Sequence, residues 1–253
     1  MKALFNFLLG ALLAGCAGAR PGVDISPDYA REQRLAQEFV PVIVVGSAVR
    51  IESASGHRFL GILTMASKPR GAVILAHGLG VHPDWGLIGE LRTLLPERGY
   101  TTLSIQMPVL AADASPVDYP NIFREADARI AAAIADLRGR GERRIAIVSH
   151  SMGARMAEDY LRRNRDAPLA AWVPVSISSG RFEGVAGAPF PIFDIYAQDD
   201  LELVASGAQA RAAVLRGIHG SKQAMVFGAD HFYAKKEREL ADLIDQLLAP
   251  VMK

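Results

Sequence analysis

Apolar and polar positions fall into two rhythms along the chain. Residues 48–53 and 59–65 are rich in β-forming side chains, and the turn Ala54-Ser55-Gly56-His57 between them predicts a hairpin. Residues 42–45 predict a further short strand ahead of it. From Gly71 onward, strand patterns expected to be buried at 72–76, 101–106, 144–148, 171–177, 191–197 and 223–227 alternate with stretches whose apolar residues are spaced at three and four residues, 86–98, 122–137, 154–163, 205–215 and 235–248. Such alternation predicts an α/β fold with a mostly parallel twisted sheet, antiparallel strands at its N-terminal edge and helices on both faces.

The connection 178–190 is Gly-rich and too short to hold a lid domain, so the expectation is an open cleft. The irregular stretch 108–121 is expected to form the rim of that cleft. No internal repeat or low-complexity segment is present.

Composition bounds the remainder. The chain has 253 residues, 50% of them hydrophobic and 22% charged, enough to bury one core. Its 28 basic and 27 acidic residues are interspersed, which argues against a nucleic-acid surface or a polybasic membrane patch.

The N-terminus changes the picture. Met1-Lys2 and the apolar residues 3–13 read as a secretory signal too short to span a bilayer, and Leu13-Ala14-Gly15-Cys16 resembles the lipobox of bacterial lipoproteins. That resemblance implies removal of residues 1–15, acylation of Cys16 and a membrane-anchored protein. The alternative is an ordinary signal cleaved near residues 17–19. Ala17 after the cysteine implies the outer membrane, facing the periplasm, in an organism with two membranes. Residues 16–41 then carry the lipidated cysteine, a tether and a short helix over 28–39, and residues 42–253 carry the folded domain. Cys16 is the only cysteine, so an exported chain has no internal disulfide and depends on its core.

The candidate chemistry sits at strand ends. Ser149-His150-Ser151-Met152-Gly153 follows an apolar strand and opens a helix, the setting in which a tight turn pushes a serine Oγ outward, and Ser151 is the candidate nucleophile. Ser149 stands where glycine is commoner, and its side chain is expected either to crowd the turn or to hydrogen-bond. His150 is expected to point aside. His77-Gly78-Leu79-Gly80 follows the strand at 72–76, either as a plain glycine turn with His77 hydrogen-bonded in place or as part of an anion-stabilising loop.

Asp199-Asp200 ends the strand at 191–197, as a base-orienting acid or as a cap for the next helix. Asp230-His231 precedes the final helix, and His231 is the best candidate base among six histidines. Trp85 either lines a pocket or packs, and His82 and Asp84 are expected to fix their loop. No His-Glu-x-x-His pattern or Gly-Lys-Ser/Thr phosphate loop occurs, so no metal or other cofactor is expected.

On residues 77–80, 149–153, 199–200 and 230–231, the span from about 42 to 250 resembles the α/β-hydrolase superfamily. His82-Pro83-Asp84-Trp85 and residues 102–108 look like a little-studied bacterial branch of unknown function. The resemblance implies a Ser151, Asp200, His231 triad in the family's chain order, with Asp199 as alternative acid. Leu79 and Met152 would supply the two oxyanion N–H groups, and His77, Gly78, Gly80 and Trp85 would lie at the pocket. The implied activity is serine hydrolysis of acyl esters, with a small-molecule ester as substrate and no cofactor. A non-catalytic envelope lipoprotein using the fold for binding or assembly, and an acyltransferase or thioesterase, are the alternatives.

Overall fold

The computed structural model describes residues 25–253. The expected signal segment and Cys16 lie outside the described residues.

The hairpin strands β1 (Ser47–Glu52) and β2 (Arg58–Thr64) pair antiparallel, with Ile51 opposite Phe59. Next along the chain come β3 (Gly71–Ala76), α2 (Gly86–Glu97), β4 (Tyr100–Ile105), α3 (Phe123–Gly139), β5 (Ile145–His150), α4 (Met152–Arg163) and β6 (Ala171–Val175). The chain ends with β7 (Phe193–Asp199), two short helices α5 (Glu202–Ala205) and α6 (Ala208–Leu215), β8 (Lys222–Asp230) and α7 (Glu237–Leu248). One eight-stranded sheet forms in the order β1-β2-β4-β3-β5-β6-β7-β8, antiparallel as far as the β2/β4 pair and parallel thereafter.

Every residue of β3, β4, β5 and β6 is buried, which is why these strands are largely apolar without an alternating polar face. The period of two then sorts them. Ala72, Ile74 and Ala76 share a core with α3 and α4, while Val73 and Leu75 face the core built with α2 and α7. Each fully buried aliphatic side chain contributes about 1.5–3 kcal/mol of transfer free energy, so the two cores fix the sheet and the strand ends at its carboxyl edge.

Three sequence expectations are corrected. Residues 42–45 are not a strand: Val40–Val42 form a 3-10 turn with Pro41 in its first positions, and Val42, Val44 and Val45 are exposed. The helix expected over 205–215 is two helices separated at Ser206-Gly207.

The third correction concerns helix α1 (Tyr29–Phe39), capped by Asp28 through the Arg31 N–H at 2.8 Å. It is part of the folded body, so that body begins before residue 42. Ala36 and Phe39 pack on Leu60 and Ile62, and the buried Glu32 pairs with Arg129 of α3 at 2.9 Å.

Candidate active site

Ser151 stands between the end of β5 and the start of α4 with φ 54° and ψ −118°, a backbone region that costs a non-glycine residue about 1–3 kcal/mol. The fold holds it there. Its N–H donates to Val175 O at 3.0 Å, and its carbonyl accepts from Ala154 N at 3.1 Å. The turn is so tight that a Cβ on Gly153 would lie 2.2 Å from His77 O, so glycine is required at 153. At 149 the extra side chain is accommodated: Ser149 Oγ accepts the Trp172 indole N–H at 2.9 Å in the buried interior.

The loop after β8 brings His231 to the serine. His231 Nε2 lies 3.1 Å from Ser151 Oγ, and His231 Nδ1 lies 2.6 Å from Asp200 Oδ1. A carboxylate only accepts, so Nδ1 carries the proton and Nε2 is free to receive one from the serine hydroxyl. Asp200 is held by further donors, the Ala197 and Leu201 N–H groups at 2.9 Å each and the Ser176 hydroxyl. Burial pushes the Asp200 carboxyl up, but the bonds from His231, Ser176 and Ala197 outweigh it and leave it below the ordinary carboxylate value.

Asp199 is exposed, lies opposite Asp230 in the sheet register, and has no hydrogen bond to His231 among those of the described residues. Neither aspartate caps a helix as expected, since α5 begins at Glu202 with Leu201 at its cap and no side-chain cap bond.

Sequence reading missed Ser176 and Tyr233. Ser176 spends its hydroxyl proton on Asp200, so the buried Tyr233 donates to Ser176 Oγ at 3.0 Å. Ser176 follows β6 directly and was findable by the rule that applies to the other strand ends; nothing in the sequence marks Tyr233. A contact of His150 was missed as well. The residue is buried, and its Nε2 lies 2.9 Å from the carbonyl oxygen of His231.

The turn after β3 faces Ser151 from the other side. His77 is fully buried, with Nδ1 2.9 Å from Gly78 O and Nε2 accepting the Met107 N–H at 2.9 Å, so it anchors the turn to the end of β4. Burial lowers its pKa to about 3, which keeps the ring neutral. Gly78 packs against the nucleophile turn, where an added Cβ would come within 3.5 Å of Ser151 Cβ. Met152 is the first residue of α4, and N–H groups of a first helical turn have no partner within the helix.

Gly80 is not a wall of the pocket. Its φ of +68° turns the carbonyl to Arg31 Nη2 of α1, which donates at 2.8 Å, while Arg31 Nη1 donates to Leu110 O at 2.7 Å. His82 stacks on Phe39 with centroids 4.3 Å apart, and Asp84 pairs with Arg92 at 2.5 Å, so both fix the loop.

A cavity of about 810 Å³ opens over Ser151 and His231. Leu79, Val81, Trp85, Leu201 and Phe232 give it apolar walls, and Glu90 and Glu237 are its acidic members. The expected rim, 108–121, is absent from it. Val109, Leu110 and Tyr119 are buried, and the Asp28 N–H donates to Val109 O at 2.8 Å, so this stretch packs against the N-terminal helix instead. A second cavity of about 290 Å³ lies beside Tyr29, His57 and Gln106. Among the described residues, no cluster of three or more His, Cys, Asp or Glu is placed to hold a metal, and no helix is long and apolar enough to cross a membrane.

The chain has the α/β-hydrolase fold. It is similar over 82% of its length to an α/β serine hydrolase without lid from Xanthomonas campestris, at 15% identity, 95% coverage of that chain and a TM-score of 0.65. Est1E from Butyrivibrio proteoclasticus, in a structure with ferulic acid bound, matches 81% of this chain and 99% of its own at 14% identity and a TM-score of 0.65. An esterase from Pyrococcus furiosus matches 82% and 93% at 15% identity and a TM-score of 0.62. Residues 45–126 match the model of a protein family of unknown function, DUF3530. No curated protein matches the chain.

Proposed function

We propose that the protein is a serine hydrolase of carboxylic esters, exported and held at a membrane through a lipid on Cys16. One observation carries the hydrolase reading: the unbroken relay from Ser151 Oγ to His231 Nε2 at 3.1 Å and from His231 Nδ1 to Asp200 at 2.6 Å, at the floor of an open cavity. Ser151 attacks the ester carbonyl as His231 takes its proton. His231 then returns that proton to the departing alcohol, and a water activated by His231 releases the acid and restores Ser151. Asp200 keeps the imidazole in the required tautomer and stabilises its charged form. The Leu79 and Met152 N–H groups receive the oxyanion, a role in which one donor is worth about 10²–10³ in rate.

The cavity favours esters over coenzyme-type thioesters, because Glu90 and Glu237 line it and, among the described residues, no lysine or arginine does, which opposes a polyanionic substrate. The anchor is supported by residues 1–16 alone; three acyl chains exceed the two signals that stable anchoring generally needs.

Fluorophosphonate labelling of the purified mature protein tests the reading, since phosphonylation needs an activated serine and no known substrate. Wild type is expected to label, and Ser151→Ala and His231→Ala are not. An unlabelled, folded wild type would return the protein to the binding-module reading. Metabolic labelling with palmitate, present in wild type and lost in Cys16→Ala, tests the anchor.

A further inference from the structure

We propose that His150, the residue before the nucleophile, is a positioning residue that fixes the main chain of His231 and so aims the His231 imidazole at Ser151; this rests on the hydrolase reading above. A carbonyl oxygen only accepts, so the 2.9 Å contact between His150 Nε2 and His231 O is a donation from His150. The two rings lie with centroids 4.9 Å apart, tilted by 43°.

His231 needs such a hold because it stands outside regular structure, between the end of β8 and the start of α7. Other groups of this loop have their own ties: Asp230 Oδ1 accepts from Phe232 N at 3.0 Å, and Asp230 O accepts from Tyr233 N at 3.0 Å. The Phe232 bond ties the N–H end of the peptide that carries the His231 carbonyl, and among the described residues it is His150 that ties its oxygen end. It does so from the last position of β5, paired with Val175 inside the sheet.

Space for the ring is provided on the opposite side. A Cβ on Gly78 would stand 3.4 Å from His150 Nδ1, so one imidazole spans the gap between the turn after β3 and the main chain of the base. Burial, with the charge on His231 second, lowers the His150 pKa to about 4 and keeps the ring neutral, so it adds no positive charge beside His231.

The geometry makes a distinction between two amides. The carboxamide nitrogen of glutamine reaches about as far as imidazole Nε2, whereas that of asparagine stops near Nδ1. His150→Gln therefore keeps the donor at the His231 carbonyl and His150→Asn removes it. The measurements are the fluorophosphonate labelling rate at Ser151, kcat and KM on p-nitrophenyl butyrate, the low-field proton NMR signal of His231 Nδ1–H, and the thermal midpoint. A displacement of about 1 Å at a reacting group can cost about 10²-fold, so His150→Asn is expected to lower the labelling rate and kcat by about 10–100-fold with little change in KM, and to shift or broaden the Nδ1–H signal. His150→Gln is expected to stay near wild type in all of these at a similar midpoint.

Two results overturn the proposal while leaving the hydrolase reading intact. One is His150→Asn matching wild type in rate and proton signal. The other is both variants falling equally, in step with their thermal midpoints. A wild type that labels with no probe and turns over no ester overturns both readings.

Discussion

Trp172 donates its indole N–H to Ser149 Oγ at 2.9 Å, across the buried β5/β6 pair. The serine that departs from the common glycine is thus the hydrogen-bond partner of the largest fully buried side chain. Restoring the common pattern is expected to harm the protein. Ser149→Gly or Ser149→Ala leaves a buried N–H unpaired, at a cost of about 1–3 kcal/mol. Urea unfolding followed by tryptophan fluorescence reads the change, and an unchanged midpoint would show that the bond contributes nothing.

Gly153→Ala tests the closeness of the turn. The added Cβ meets main-chain oxygens at 2.2 Å and 2.6 Å, which a side-chain rotation cannot relieve. Destabilisation above about 3 kcal/mol, or failure to express in soluble form, is expected. A variant with a near-normal midpoint and activity would mean that α4 can move away from β3.

The acid is expected to separate cleanly by mutation. Asp200→Asn exchanges the acceptor of His231 Nδ1–H for an amide and favours the wrong tautomer, with a loss of about 10³–10⁴ in kcat expected, whereas Asp199→Asn should remain within about threefold. Equal losses at both positions would contradict the contact between His231 and Asp200.

Acid stability follows from the two buried imidazoles. Burial lowers His150 from 6.5 to about 4 and His77 from 6.5 to about 3. The unfolded chain therefore binds protons on both at a pH where the folded chain does not, so their contribution is complete above about pH 6.5 and is lost as pH falls toward 4 and then 3. Urea midpoints measured from pH 7 to pH 4 should fall, and His150→Gln should flatten part of that slope.

Asp127 carries the opposite sign. Burial and the neighbouring Asp159 raise it from 3.8 to about 6 against the pull of Arg163, and neither of its oxygens has a hydrogen-bond partner among the described residues. Its contribution is present below pH 3.8 and is lost as pH rises to about 6. Asp127→Asn should raise the thermal midpoint at pH 8 and leave it unchanged at pH 4.

The central sheet was legible because strands buried on both faces are mostly apolar, as β3 and β6 are throughout and β4 and β5 are apart from Thr101, Thr102, Ser104, Ser149 and His150. Ser151, Asp200 and His231 were legible because each directly follows a strand. Residues 42–45 misled because β propensity reports fitness for a half-buried pleat, and no strand covers these valines. Residues 108–121 misled for a related reason: their lack of period says nothing of what they pack against, which is a helix about eighty positions earlier. His150 is written as plainly as any residue, but the carbonyl it holds lies 81 positions along the chain, and no local pattern encodes such a partner.

The Arg31 fork joins the first helix to Gly80 and Leu110, and Ile25 packs against the main core. Cutting the chain at the start of the recognisable sequence, near residue 45, would strip that fork away and leave the Gly80 carbonyl without its donor, one residue from the proposed oxyanion donor at Leu79. A fragment that begins where the family match begins therefore lacks part of the cleft's support, and the folded unit reaches further toward the N-terminus than that match.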